Sequence, residues 1–265
     1  MDYTAATMSR CPLFMALLCG SLVTGCGDAT PGTLSAKPEA TTKPAPTLKP
    51  TSLAKLEEMP SLTVDELGPY LNGQRPKLSD PDGPAKLKQI VSELPIKGKG
   101  VTLAILKKAK TTDVVAVVRE LGAAGAPTVT IKVGDTRKDL PTELVVTPQG
   151  QFKETPAACS IVGIITGKLE TDIWSVQGGT AKKHVKGMAG PDLSNAGESI
   201  QKDVKKCDSR VAFFTADDTL DWQVTHLIGA AIKVNDTEKK LEKLVLLDEV
   251  PVPGRPVKGL SAGAK

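Results

Sequence analysis

Apolar positions along this chain follow two rhythms, and the places where one replaces the other predict the elements. After Pro84 and Ala85, Leu87, Ile90, Val91 and Leu94 recur at three- and four-residue spacing, which predicts a helix that Pro95 ends. Gly98, Lys99 and Gly100 then turn into an apolar run at 101–106, a strand. Thr111 or Thr112 can cap a second helix carrying Val114, Val117, Val118 and Leu121 on one stripe, with Gly122 and Gly125 as stop signals. The β-branched run 128–133 predicts another strand. A first folded unit thus begins near Leu62 and reads helix, strand, helix, strand.

The same grammar returns further on. Asp192 can cap a helix bearing Leu193, Ala196, Ile200 and Val204; 211–215 is the next strand; Thr219 or Asp221 can cap a helix with Val224, Leu227, Ile228 and Ala231; and 244–247 closes as a strand. Ungapped overlay of Val101 on Val211 sets Leu103 over Phe213, Val114 over Val224, and Val117 and Val118 over Leu227 and Ile228. Repeated units keep such a pattern after identity has faded, so the overlay predicts a duplication. Between the copies, 143–147 reads as a strand, and 160–166 with 171–176 as a hairpin around residues 167–170. The expected fold class is α/β (α+β): two small tandem modules, at 58–150 and 151–250, each a mixed sheet with two helices on one face. The other face of each sheet must meet solvent or a partner.

The N-terminus carries the most specific signal. Arg10 precedes an apolar stretch at 12–23, too short to span a bilayer, which closes with Leu22, Val23, Thr24, Gly25 and Cys26. That ending resembles the bacterial lipoprotein signal, in which a cysteine preceded by small residues is acylated and becomes the first residue of the mature chain. The resemblance implies a signal peptide at 1–25 and a lipid on Cys26 that tethers the rest to a membrane. Gly27 follows, where lipoproteins of that class retained at the inner membrane often carry Asp, so an outer-membrane anchor on the periplasmic face is preferred. From there to residue 57 the chain is rich in Pro, Thr, Ala and Lys, with prolines at 31, 38, 44, 46 and 50, which predicts an extended spacer.

Composition narrows the rest. With 40% apolar and 24% charged residues the 265-residue chain lacks the repeated long apolar runs of a multi-span membrane protein, and its 24 glycines have no collagen period. The charge of +4 is mild, and 3% aromatic residues leave few stacking platforms, which argues against a nucleic-acid partner. Of five cysteines, Cys11 and Cys19 fall in the signal and Cys26 takes the lipid. Cys159 and Cys207 remain, either as two buried thiols or as a disulfide suited to an oxidising compartment.

With these elements in place the second unit resembles the periplasmic domain of the ExbD/TolR family, accessory proteins of proton-driven envelope motors. The matching residues are the strand pair 161–166 and 171–176 with its turn at Gly167 and Lys168, Ile173, Trp174, the step at Gly178 and Gly179, the helix at 193–205, the strand 211–215 ending in Ala216 and Asp217, and the helix from Asp221. The resemblance covers roughly 158–248 and, more weakly, 62–133. It implies a non-enzymatic interaction module that dimerises, here as an internal pseudo-dimer or a homodimer. Family members couple to a proton channel through a transmembrane helix bearing Asp; residues 12–23 carry no acid, so a conventional force-transducing role is not implied.

Patterns that carry chemistry are few. Only His184 and His226 exist, too few for a histidine metal site, and no hydrolase, zinc-protease, redox-cysteine or phosphate-loop motif is present, so no catalytic residue, metal or cofactor is assigned. A pairing of Cys207 with His226, or of Asp217 with Asp218, is set aside for structural roles. Lys182, Lys183 and Lys186 form a candidate polyanion contact around His184, and the edges at 161–165 or 244–247 offer places for strand addition. Trp174 belongs to that surface or to the core. The tail, 251–265, reads as flexible. The main expectation is a lipid-anchored envelope scaffold holding a protein or peptidoglycan partner; its alternative is an extracytoplasmic enzyme with a site in loop 178–192.

Overall fold

The computed structural model describes residues 61–188 and 190–260. The signal at 1–25, Cys26, the spacer and the end of the tail at 261–265 lie outside the described residues. Among the described residues ten strands and four α-helices follow one another as β1 (Leu62–Asp65), β2 (Gly68–Leu71), α1 (Gly83–Ser92), β3 (Val101–Ile105), α2 (Thr111–Ala123), β4 (Val129–Val133), β5 (Glu143–Pro148), β6 (Ile161–Ile165), β7 (Thr171–Ser175), β8 (Lys182–His184), α3 (Leu193–Lys206), β9 (Val211–Ala216), α4 (Trp222–Asn235) and β10 (Lys243–Leu246). The order hairpin, helix, strand, helix, strand therefore occurs twice, with β5 between the two runs and β8 added after the second hairpin. Asp192 caps α3 as its position suggested, its Oδ1 accepting from the Asn195 amide at 3.2 Å, and Lys205 and Lys206 sit in the last turn, against the negative end of the helix.

All ten strands join one sheet in the order β2-β1-β3-β4-β5-β10-β9-β6-β7-β8, so the two halves share a sheet rather than each closing its own. β5 makes the junction, antiparallel to β4 and parallel to β10. One face carries all four helices: Leu87 and Ile90 of α1, Val117 and Leu121 of α2, Ile200 of α3 and Ile228 and Ile232 of α4 share a core with Leu103, Ile131, Leu144, Phe214 and Leu246. Fully burying one such side chain contributes about 1.5–3 kcal/mol, more than the net worth of a typical hydrogen bond, so this common core dominates the cohesion of the halves.

The halves meet around a local dyad. Lys110, just before α2, pairs antiparallel with Asp221, just before α4. The Thr111 amide donates to the Leu220 carbonyl at 3.0 Å, and the Trp222 amide to the Ala109 carbonyl at 2.7 Å. Neither helix has a side-chain cap; each N-terminus instead gives a first-turn amide, which no helix satisfies internally, to the opposite half. Behind this pair the buried hydroxyls of Thr111 and Thr225 lie 2.6 Å apart. The dyad corrects the ungapped overlay. Helices superpose Thr111 on Trp222 and the strands shift with them: Val101, Leu103 and Ile105 lie on the helix-side face with Ala212, Phe214 and Ala216, whereas Val211 and Phe213 belong to the opposite cluster. Val114 then matches the buried Thr225 rather than the half-buried Val224.

The other face differs between the halves. In the first it is open and mostly polar, with Thr102 and Val145 exposed and a Lys132–Glu143 ion pair at 2.8 Å across β4 and β5. In the second, Val162, Ile164, Trp174, Val211, Phe213 and Val245 form a separate apolar cluster against which Val250, Val257 and Leu260 pack. Residues 251–260, expected as part of a flexible tail, are thus a strap over this cluster, because an uncovered patch of aromatic and aliphatic side chains is costly in water. The expected edges are corrected too. Strand β6 lies between β7 and β9, and β10 between β5 and β9; the true edges are β2 and β8.

Candidate functional site

The residues singled out in the sequence converge, in part, at the β7–β8 end of the sheet. Cys159 and Cys207 are bonded, with S–S 2.07 Å and Cα atoms 5.6 Å apart. The bond ties the segment before β6 to the end of α3. Beside it, the hydroxyls of Ser160 and Ser209 lie 2.6 Å apart and buried, and Ser209 Oγ both donates to the Val211 carbonyl and accepts its amide. The bond also lines a cavity of about 300 Å³ with Trp174, Gly178, Gly179, Lys182, Asp203 and Lys206, the lower end of the range of small-ligand pockets.

The lysines do not form one patch. Successive residues of a strand point to opposite faces. Lys182 Nζ reaches Asp203 of α3 on the helix side at 2.5 Å, whereas Lys183 Nζ pairs with Glu170 at 2.7 Å. That hydrogen bond holds the Lys183 ammonium above its ordinary range. Lys183 lies across from Asp172, a buried carboxyl that desolvation pushes up and nearby Lys183 pulls down. Lys186 is exposed in the loop after β8. The candidate polyanion contact is therefore split between two faces, with two of its three cations already in ion pairs.

The remaining candidates are engaged locally. His226 is buried on α4, its Nε2 bonded to the Pro141 carbonyl at 2.7 Å, and burial pushes the imidazole below its ordinary range against that bond. The bonded sulfur of Cys207 is not available as a nucleophile for it. Asp217 Oδ1 accepts the Thr219 amide at 3.0 Å and the Thr219 hydroxyl at 2.5 Å, which holds its carboxyl low and closes the turn into α4. Within loop 178–192, Asp192 is spent on its cap, held low by Asn195. His184 Nε2 and Thr171 Oγ1, on paired residues of β8 and β7, are buried without a hydrogen-bond partner among the described residues. Among the described residues no group of three His, Cys, Asp or Glu side chains is placed to hold a metal ion, and no helix is long and apolar enough to cross a membrane.

Sequence reasoning missed a cavity of about 840 Å³ bordered by the strap and Gln149, with Asp248, Glu249, Arg255 and Lys258 as its charged lining. Gln149 holds both walls: its Oε1 accepts the Asp248 amide at 2.8 Å and its Nε2 donates to the Lys258 carbonyl at 3.4 Å. Burial pushes the Asp248 carboxyl up, against the pull of Arg119. The signal was the recurrence of Val250, Val257 and Leu260 through a segment otherwise rich in Pro and Gly. No family model matches the chain, and neither curated proteins nor solved structures give a match.

Proposed function

We propose that this chain is a non-enzymatic, lipid-anchored scaffold of the bacterial cell envelope, held on the periplasmic side by Cys26 and lifted from the membrane by its spacer. In this reading two ExbD/TolR-like modules in one polypeptide form an internal pseudo-dimer. It binds an envelope protein or peptidoglycan, accessory to a proton-driven complex without transmitting force itself. The observation that carries the reading is the doubled hairpin–helix–strand–helix–strand order arranged about the Lys110–Asp221 dyad: one chain supplies both halves of an arrangement that the family resemblance would assign to two. The Cys159–Cys207 bond adds support, since such bonds persist in oxidising compartments and are rare in cytosolic proteins.

Crosslinking in whole cells, followed by capture of the tagged protein, tests this. Recovery of envelope proteins, proton-channel subunits among them, or of cell-wall fragments is the expected outcome. Recovery with cytoplasmic proteins alone, with both cysteines open to alkylation before lysis, would end the reading.

A further inference from the structure

The strap is held on its own sheet in the manner of a bound peptide. Its core is Pro251, Val252, Pro253, Gly254, Arg255, Pro256 and Val257. The Arg255 amide donates to the Val252 carbonyl at 3.0 Å, closing a turn with Pro253 second and Gly254, at φ +76°, third, the residues a type II turn requires. Three further bonds fix the main chain. The Gly179 amide donates to the Gly254 carbonyl at 2.9 Å, and the Val257 amide to the Val176 carbonyl at 3.0 Å. Between them the Trp174 indole N–H donates to the Arg255 carbonyl, also at 3.0 Å. An indole donor aimed at a carbonyl just ahead of a proline, on an aromatic-lined surface, is the chemistry that recognises proline-rich segments, whose extended backbone has no internal hydrogen bonds. Val257 and Leu260 then anchor against the cluster containing Phe152, Trp174 and Phe213.

Open space adjoins the strap: the 840 Å³ cavity is bounded by the strap and Gln149, and a second of about 260 Å³ lies among Pro156, Val176, Gln177, Pro256, Val257 and Leu260. Val252, Arg255 and Pro256 are exposed. Backbones approach closely here: a Cβ on Gly254 would lie 2.7 Å from the Gly179 carbonyl oxygen, and one on Gly178 would lie 3.0 Å from the Gly254 carbonyl oxygen and from Pro256 Cδ.

We propose that this face is a binding site for an extended, proline-containing segment of another polypeptide, one that presents a carbonyl ahead of proline and an aliphatic residue after it, and that the chain's own tail occupies the site in cis. Tethering decides the competition. A short tether gives the tail an effective concentration on the order of millimolar, so a free segment of equal intrinsic affinity enters only when the tail is released.

The probe is a fluorescent peptide with the sequence of residues 251–260, followed by anisotropy. It is offered to the uncut protein, to a chain cut after folding at a protease site inserted between Glu249 and Val250, and to an uncut Gly254→Val variant whose turn cannot seat. The cut chain and Gly254→Val should bind at least about 100-fold more tightly than the uncut parent. Trp174→Phe in the cut chain removes the N–H and should weaken binding roughly 3- to 10-fold. Retention of the cleaved tail as a non-covalent complex supports the site equally. Failure of both released forms to bind, with parental circular dichroism and an intact Cys159–Cys207 bond, overturns it, as does unfolding of both, which would make the strap a part of the fold. Dimers of the uncut chain that the peptide dissolves would assign the groove to a second copy's tail and overturn the separate-partner reading. None of these outcomes depends on lipid anchoring.

Discussion

Replacing Cys159 with Ser isolates the contribution of the disulfide. Cys159 is exposed, so the substitution removes little packing, while Cys207 stays as a buried thiol, 4% exposed. The bond joins residues 48 apart; closing a loop of that length removes about 13–14 cal/mol/K of unfolded-chain entropy, or about 4 kcal/mol at 25 °C. For a folded unit of this size each kcal/mol moves Tm by about 2–4 °C, so a fall of about 8–16 °C is expected. The native arrangement should survive, because the Ser160–Ser209 pair continues to join the starts of β6 and β9. Urea and thermal unfolding of parent and variant, each with and without dithiothreitol, is the assay. The parent should drop to the level of the variant on reduction, and the variant should not respond. A loss below about 1 kcal/mol, or a reductant effect on the variant, would refute the argument that the bond acts by restricting the unfolded chain.

Three other perturbations test the seam, the buried histidine and the helix–sheet contact. At the dyad, Thr111→Val or Thr225→Val alone leaves one buried hydroxyl unpaired and should cost about 1–3 kcal/mol, whereas the double variant should recover part of that loss; strictly additive losses in urea unfolding would deny the coupling. His226 is held neutral by burial in the folded state, while the unfolded chain takes up a proton near pH 6.5. Stability should therefore be insensitive to this group above about pH 7.5 and fall as pH drops through 6.5, by at most about 1.4 kcal/mol per pH unit; an unchanged pH profile in His226→Gln would contradict that. In α4, a Cβ on Gly229 would meet Phe214 Cε2 at 2.8 Å and Leu144 Cδ1 at 3.0 Å, so Gly229→Ala should cost about 1–3 kcal/mol by overpacking, a neutral Tm being the opposing result.

How much of this was legible follows from the range of each interaction. The helices and inner strands were readable because burial is written into their periodicity: Ile200 and Val204 of α3, or Leu103 and Ile105 of β3, face the core at helical and strand spacing. Strand order was not. The pairing of β5 with both β4 and β10 places 244–247 inside the sheet, and no local pattern announces a partner a hundred residues away. Thr111 looked like a cap, yet its amide is satisfied by Leu220 from the other half. Lys182 and Lys183 looked like a patch because adjacency in sequence hides the alternation of a three-residue strand. The strap was hidden by composition: Pro and Gly suggested looseness, while the apolar face that captures Val257 and Leu260 is assembled from four separate strands.

Whether the protein works where this account places it is decided by Cys26. The parent and a Cys26→Ala variant, expressed with radiolabelled palmitate and fractionated, give the most direct measurement. A labelled parent in the envelope fraction, extracted by detergent but not by high salt, and an unlabelled variant released from it are expected. Equal membrane association of the two, or a parent that stays unlabelled in the cytoplasm, would contradict it.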